Sequence, residues 1–139
     1  MKPPHISETQ AWAIPNSIEV DEKNLSHIVA GQCRDCEQTM FPRALVCPKC
    51  MGEEIQPFYL REGGVLYSFS KLHLARKGWQ VPYVIGYVDF PEGVRVMGPV
   101  EMQGPFQPRC GSKVRVEIGT LRTGTDGIEY LSHRFFPID

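Results

Sequence analysis

Two Cys-x-x-Cys sequences, ten residues apart, limit the folds open to this chain more than any other feature. They consist of Cys33 with Cys36 and Cys47 with Cys50. Each turn directs two sulfur atoms toward one point, so two facing turns supply the four thiolates of a tetrahedral zinc site. Four protein ligands leave no position open for water or substrate, and the predicted metal is therefore structural. Such a zinc contributes about 10–16 kcal/mol to folding, which matters because so short a segment cannot build its own core.

Two other uses of these cysteines are compatible with the spacing, namely a redox-active pair or two disulfides. A redox Cys-x-x-Cys normally stands beside a βαβ pattern, which this sequence lacks. Disulfides are typical of secreted chains, and the first residues show no signal-peptide pattern. A fifth cysteine, Cys110, lies outside the spacing. The cysteines therefore favour zinc and indicate a protein of the reducing cytoplasm.

Charge and hydrophobicity narrow the functional classes. The 139 residues are 42% hydrophobic and carry a formal net charge of −1, as in a globular protein of one domain or two small modules. Because there is no basic excess, an obligatory nucleic-acid binder is disfavoured. No segment approaches the roughly 20 apolar residues of a membrane-spanning helix. We therefore expect no membrane partner and regard nucleic acid as a poor candidate.

The chain beyond Gly64 has the pattern of a small β-barrel. Five segments alternate apolar and polar residues, or run apolar between turn residues, at 65–70, 82–90, 94–100, 113–118 and 128–136. No convincing helical pattern separates them. Five strands of this length favour a partly open Greek-key barrel of the OB type, with a small β-sandwich as the alternative.

The N-terminal residues are predicted to form an arm with a short helix around Glu8–Ala13. Its Trp12 either packs on the chain's own core or docks on a partner. Residues 51–62, which include Pro57, have the pattern of a connector. The chain as a whole is predicted to be mainly β, with an arm over 1–24, a zinc ribbon over 25–60 and an OB-fold domain over 61–139.

A basic cluster after the first barrel strand is a candidate ligand site. Its members are Lys71, His73, Arg76, Lys77 and the aromatic Trp79. Cations suit phosphate groups and an indole ring stacks on a base, so the cluster is typical of a nucleotide site; a solvated basic loop has the same composition. Arg43, between the cysteine pairs, is either another phosphate-binding cation or a solvated turn residue. No nucleophile and base are spaced for catalysis, so we expect binding rather than chemistry.

The order of these segments resembles the DUF35 family of zinc-ribbon and OB-fold proteins. Phe41-Pro42-Arg43 lies between the cysteine pairs, and the barrel opens on Gly-Val-Leu-Tyr-Ser-Phe-Ser at 64–70. Pro-Tyr-Val-Ile-Gly-Tyr-Val follows at 82–88. The resemblance covers roughly residues 25–137. Glu37 departs from the family pattern, in which many members carry glycine after the first cysteine pair, and this departure bears on the turn there.

The resemblance implies a non-catalytic subunit bound to a thiolase-fold enzyme, whose own chain carries the catalytic residues. Such a subunit lies near the CoA entrance and supports assembly or acyl-CoA binding, so structural Zn²⁺ and a CoA thioester are the implied ligands of the complex. A finer expectation is the thiolytic cleavage of benzoylsuccinyl-CoA to benzoyl-CoA and succinyl-CoA. The residues expected to contact the thioester are Arg43, Lys71, His73, Arg76, Lys77 and Trp79.

Two other functions remain open from the sequence. An OB barrel binds single-stranded nucleic acid by stacking bases on aromatic side chains, here Tyr67, Phe69 and Tyr87. The near-neutral charge counts against that function. A module that binds acyl-CoA within a hydratase complex is the other alternative.

Overall fold

The computed structural model describes residues 5–61, 63–101 and 108–138. These residues form strands and no helix, which confirms a mainly β protein. Among them, no helix is long and apolar enough to cross a membrane. The strands are β1 (Gln10–Trp12), β2 (Ile18–Val20), β3 (Ser26–Cys33), β4 (Thr39–Met40), β5 (Ile55–Tyr59), β6 (Gly64–Leu72), β7 (Tyr83–Asp89), β8 (Arg95–Val100), β9 (Lys113–Thr123) and β10 (Glu129–Pro137).

Strands β6 to β10 close into a five-stranded barrel. β6, β7 and β8 form an antiparallel meander, and β10 lies parallel to β8 and antiparallel to β9. β9 then returns to β6 through the pairs Gly64–Val114 and Val65–Lys113. This closed arrangement confirms the predicted OB-type barrel, and the barrel is closed rather than partly open.

The strand periodicity of two explains which side chains fill the barrel. On β7, Val84, Gly86 and Val88 are buried, whereas Tyr87 between them is exposed. Gly86 leaves room for its neighbours, since a Cβ there would lie 2.8 Å from the Ser68 carbonyl oxygen. The barrel interior is therefore packed with side chains rather than hollow.

The zinc-ribbon segment adds a second sheet that shares the barrel's core. β3 is its centre and pairs antiparallel with β2, β4 and β5. Ile28 and Ala30 of β3 belong to the same buried cluster as Leu66 and Phe135 of the barrel, and Phe41 packs against it. One apolar core thus holds the ribbon segment and the barrel together.

Residues 51–62, which have the sequence pattern of a connector, contain β5. Its Pro57 pairs with Gly31 of β3. Proline lacks a backbone N–H and is tolerated on an edge strand, so tertiary pairing outweighs the local signal. The prediction of a plain connector over 51–62 is wrong.

The predicted N-terminal helix around Glu8–Ala13 is also wrong. Residues 10–12 form β1, which pairs in parallel with β10, and the Ala13 N–H donates to the Leu131 carbonyl over 2.8 Å. So short a segment cannot nucleate a helix in water, whereas the β10 backbone offers hydrogen-bond partners. Trp12 packs against the chain's own core.

Candidate functional site

The four cysteines of the two Cys-x-x-Cys sequences converge on one point. One sulfur atom from each of Cys33, Cys36, Cys47 and Cys50 lies within 4.8 Å of the other three. The Sγ–Sγ distances are 3.5 Å for Cys33–Cys50 and 3.6 Å for Cys36–Cys47. Zinc–sulfur bonds of about 2.3 Å at tetrahedral angles separate neighbouring sulfurs by about 3.8 Å. The donor set and its spacing therefore fit a tetrahedral zinc ion, and all five cysteines are free of disulfides.

The two cysteine turns repeat the same backbone geometry. The Glu37 N–H donates to the Cys33 carbonyl and the Met51 N–H donates to the Cys47 carbonyl, each over 2.9 Å. Glu37 and Met51 follow the second cysteine of each pair and have φ angles of 65° and 66°. This left-handed region favours glycine, which explains why glycine suits the position that Glu37 occupies. Glu37 adopts the geometry, so its departure from the family pattern leaves the turn intact.

Backbone N–H groups point at the sulfur atoms and favour the thiolate form. The N–H of Lys49 lies 3.4 Å from the Cys47 sulfur, and the N–H of Gly52 lies 3.4 Å from that of Cys50. The Cys50 N–H lowers the pKa of the Cys47 thiol to about 6, with a further contribution from Lys49. The Gly52 N–H lowers the pKa of the Cys50 thiol. The opposing effect, chiefly of the Cys33 thiol, is larger, so the pKa of Cys50 is raised to about 12. A bound dication deprotonates coordinating thiols outright.

The cluster is partly shielded from water by its own hairpin. Cys33 and Cys47 are buried with Met40, and Ala44 and Ile55 pack against them. Cys50 is exposed, and Cys110 lies outside the cluster on the surface. The arrangement resembles a structural site with a closed ligand shell rather than a reaction centre.

The residues of the predicted CoA site are only partly brought together. Lys71 and Trp79 line two adjoining cavities of about 330 and 480 Å³, respectively. His73, Arg76 and Lys77 are exposed and are not among the residues that line either cavity. Arg43 also lines neither: its stem covers Gly31 of the ribbon, where a Cβ would meet the Arg43 Cγ at 2.8 Å.

The two cavities share Gln80, Tyr83 and Arg134, and we call them together the loop groove. Gly78, Trp79, Gln80 and Pro82 of the loop between β6 and β7 form one wall. Arg122 near the end of β9 and Arg134 within β10 lie on the other side. Sequence reasoning missed both arginines. No local sequence pattern marks them, because only the barrel brings the last two strands beside the loop.

The two arginines of the loop groove are held by different contacts. Arg134 forms an ion pair with Glu101 and donates to the Thr120 carbonyl, and burial lowers the pKa of its guanidinium. The Arg122 guanidinium lies over the Tyr130 ring, 3.9 Å from its centroid. Arg134 is therefore paired with a carboxylate, whereas the Arg122 guanidinium contacts an aromatic ring.

The aromatic residues expected to stack nucleic-acid bases lie on β6 and β7. Tyr67, Phe69 and Tyr87 are all exposed. The Arg95 guanidinium covers the Tyr67 ring at 3.6 Å and is itself paired with Asp89 at 2.6 Å. Among the described residues, Arg95 is thus the only cation found over these aromatic rings, and Asp89 already balances its charge. This aromatic surface is therefore poorly suited to binding a polyanion.

Comparison with known proteins matches both parts of the chain. Residues 21–56 match the family model of the rubredoxin-like zinc ribbon domain of ChsH2, and residues 59–119 match that of its C-terminal OB-fold domain. The benzoylsuccinyl-CoA thiolase subunit BbsA of Thauera aromatica is 38% identical over 87% of this chain and 84% of that protein. A subunit of the same name from Geobacter metallireducens is 30% identical over 87% of this chain and 82% of its own.

More distant relatives include a scaffold protein and a solved structure. A DUF35 domain-containing scaffold protein of Methanocaldococcus jannaschii is 29% identical over 81% of this chain and 82% of that protein. The solved Ltp2-ChsH2(DUF35) aldolase aligns with a TM-score of 0.63 at 21% identity, covering 80% of this chain and 84% of the matched one. At that identity, the structural match supports the fold alone.

Proposed function

Because this chain belongs to the DUF35 family of zinc-ribbon and OB-fold proteins, we propose that it is a non-catalytic accessory subunit of a thiolase-like complex. The observation that carries this proposal is 38% identity, over 87% of the chain, to a protein named as a thiolase subunit. A relative named as a scaffold protein supports the same role. The partner is then a thiolase-fold chain that carries the reacting residues.

The chain's own reactive side chains support a non-catalytic role. Cys110, the cysteine outside the cluster, is exposed on the surface. His133 is buried, and its Nε2 lies 2.7 Å from the Met97 carbonyl oxygen. A nucleophile needs a base within hydrogen-bond reach and access to the substrate. The Ser132 hydroxyl lies 3.3 Å from the His133 Nδ1, but both side chains are buried, so this pair is closed to a substrate.

Zinc has a structural role in this proposal. Cys33, Cys36, Cys47 and Cys50 would hold the ion, which supplies folding free energy to the ribbon hairpin. The N–H groups of Lys49 and Gly52 orient the sulfur atoms that bind it. The proposal places the complex in the cytoplasm, where thiols stay reduced and available to the metal.

The substrate proposed for the complex is benzoylsuccinyl-CoA, cleaved by CoA to benzoyl-CoA and succinyl-CoA. Two relatives that carry this enzyme's name support it, from two different bacteria. Contact of this chain with the CoA thioester stays a prediction for the residues named from the sequence, of which Lys71 and Trp79 line the loop groove.

Co-expression with the thiolase-fold chain of the same source tests the proposal. We expect the two chains to elute together from a sizing column and to cleave benzoylsuccinyl-CoA faster than either chain alone. An acetoacetyl-CoA assay on the same complex distinguishes the proposed substrate from a shorter thioester. If this chain stays separate and leaves the partner's activity unchanged, the accessory role is wrong.

A further inference from the structure

The loop groove has an aromatic wall. Trp79 stacks on Tyr83 with ring centroids 5.0 Å apart and an interplanar angle of 28°. Both side chains line the cavity of about 480 Å³, which has the size of a small-molecule site. Stacked rings at the edge of a cavity suit a flat, conjugated group such as a nucleotide base.

The wall is held in place by a close backbone contact. The Gly78 carbonyl accepts a hydrogen bond of 3.1 Å from the Thr123 N–H at the end of β9. A Cβ on Gly78 would lie 2.0 Å from the Thr123 carbonyl oxygen, and its φ of 96° also favours glycine. Only glycine therefore lets residues 73–82 approach β9 closely enough to form the groove.

The groove concentrates positive charge in a nearly neutral protein. It is lined by Lys71, Arg122 and Arg134, with Glu101 as the acid that pairs with Arg134. Within residues 5–61, 63–101 and 108–138, Lys71 and Arg122 have no carboxylate partner. They belong to different cavities that meet at Tyr83, so the groove offers two cations along an aromatic surface.

We infer that the loop groove binds a nucleotide that carries more than one phosphate group, with its base on Trp79 and its phosphates at Arg122 and Lys71. An aromatic acid with a single charge would leave one of the two cations unused. A free nucleotide and the nucleotide end of CoA share this chemistry. The assignment to a CoA thioester rests on the proposed function; the groove's preference for a nucleotide does not.

Calorimetric titration of the zinc-loaded chain with CoA, ADP and pantetheine tests the inference. We expect CoA and ADP to bind and pantetheine, which lacks the nucleotide, to show no heat. Tighter binding of CoA than ADP would show that the 3′-phosphate of the CoA nucleotide is also recognised, and equal binding would show that the ADP group common to both is the ligand. Failure of both CoA and ADP to bind overturns the inference.

Matched substitutions separate binding in the groove from nonspecific attraction by surface cations. Trp79→Leu should weaken binding about tenfold, the usual size of a lost base–aromatic stack. Arg122→Gln and Lys71→Gln should each weaken it several-fold and reduce its salt dependence. Lys23→Gln and Arg109→Gln remove the same charge from exposed positions outside the groove and should leave affinity unchanged. Equal losses in both sets would show that the groove is not the site.

A glycine pair tests the shape of the groove without altering a ligand-binding side chain. Gly78→Ala should push the loop away from Thr123 and weaken nucleotide binding. Gly63→Ala is the control, because Gly63 has the same φ of 96° but no atom within 4 Å of the position that a Cβ would take. Unchanged affinity in folded Gly78→Ala would contradict the inferred site. Co-elution of the groove variants with the thiolase-fold chain is measured separately, so the groove and the accessory role can fail independently.

Discussion

His133 connects the ribbon hairpin with the barrel interior. It is 1% exposed, and its ring meets Phe41 of the hairpin edge-on at 5.7 Å and Phe135 at 5.3 Å. Since a carbonyl oxygen only accepts hydrogen bonds, the Nε2–H must donate to Met97. Gly98 provides the space, because a Cβ there would lie 2.8 Å from the imidazole. The position of the buried ring is therefore fixed by both packing and hydrogen bonding.

The stability of the protein should depend on pH through His133. Burial lowers the pKa of its imidazole, although the Met97 carbonyl opposes the shift. The unfolded chain takes up a proton near pH 6.5 while the folded chain does not, so the free energy of unfolding falls as pH drops below about 6.5. Urea unfolding at pH 7.5 and 5.5 should show that the free energy of unfolding falls less for His133→Gln than for the wild type.

The control for this experiment is His73→Gln, which changes an exposed histidine. It should keep the wild-type loss of stability on acidification. The zinc thiolates are common to all three proteins, so their own acid sensitivity cancels in the comparison. If the wild type and His133→Gln lost the same free energy of unfolding between pH 7.5 and 5.5, His133 would not be the source of the pH dependence.

Among the elements, the two cysteine turns act as one unit. Each contributes one buried and one more accessible sulfur, and each is closed by an N–H to the carbonyl of its first cysteine. The hairpin between them carries β4 but few buried apolar residues of its own. The metal therefore has to replace the core that the hairpin lacks.

Loss of a single sulfur ligand should abolish folding or assembly. Cys47→Ser removes a buried ligand, and the zinc contribution of about 10 kcal/mol or more is comparable to the whole stability of a domain. Zinc content and co-elution with the thiolase-fold chain are the measurements. Cys110→Ser, at an exposed position outside the cluster, should retain both. A soluble, zinc-free Cys47→Ser protein that supports full thiolase activity would overturn this prediction.

Within the described residues, the ribbon segment and the barrel form one packing unit rather than a ribbon tethered to a barrel. Ile18, Ile28 and Leu60 on the ribbon side share a buried cluster with the barrel residues. Phe41 adds the hairpin to that cluster through its contact with His133. The predicted domain boundaries at residues 24 and 60 stay a prediction, but the shared core makes cooperative unfolding the expected behaviour.

Truncation of Phe41 tests this coupling. Phe41→Ala removes a half-buried ring and should lower the free energy of unfolding by about 2 kcal/mol, somewhat less than for a fully buried phenylalanine. Hydrogen exchange of β8 amides reports the effect in the barrel, although Phe41 lies in the hairpin. Leu45→Ala, at a position 91% exposed in the same hairpin, should change stability by less than about 0.5 kcal/mol. A loss confined to hairpin amides would mean that the ribbon and barrel unfold separately.

The zinc ligands and the five barrel strands could be read from local patterns. The spacing of the zinc ligands is set within the short segment from Cys33 to Cys50. The geometry of each cysteine turn depends on only a few residues on each side. Likewise, the alternation along β7 and β9 reflects one buried and one exposed face. In both cases the physical cause lies within a single segment, so the sequence carries it directly.

The parts that sequence patterns missed depend on contacts between distant segments. β1 is a strand because the β10 backbone is available to it, and β5 tolerates Pro57 because it pairs at the edge of β3. The loop groove needs Trp79 to meet Arg122 and Arg134, which only closure of the barrel brings together. The local spacing of residues in the sequence thus determined the metal site and the class of fold. Tertiary packing decided which cations share a cavity, because the distance between two charged side chains is a property of the folded surface.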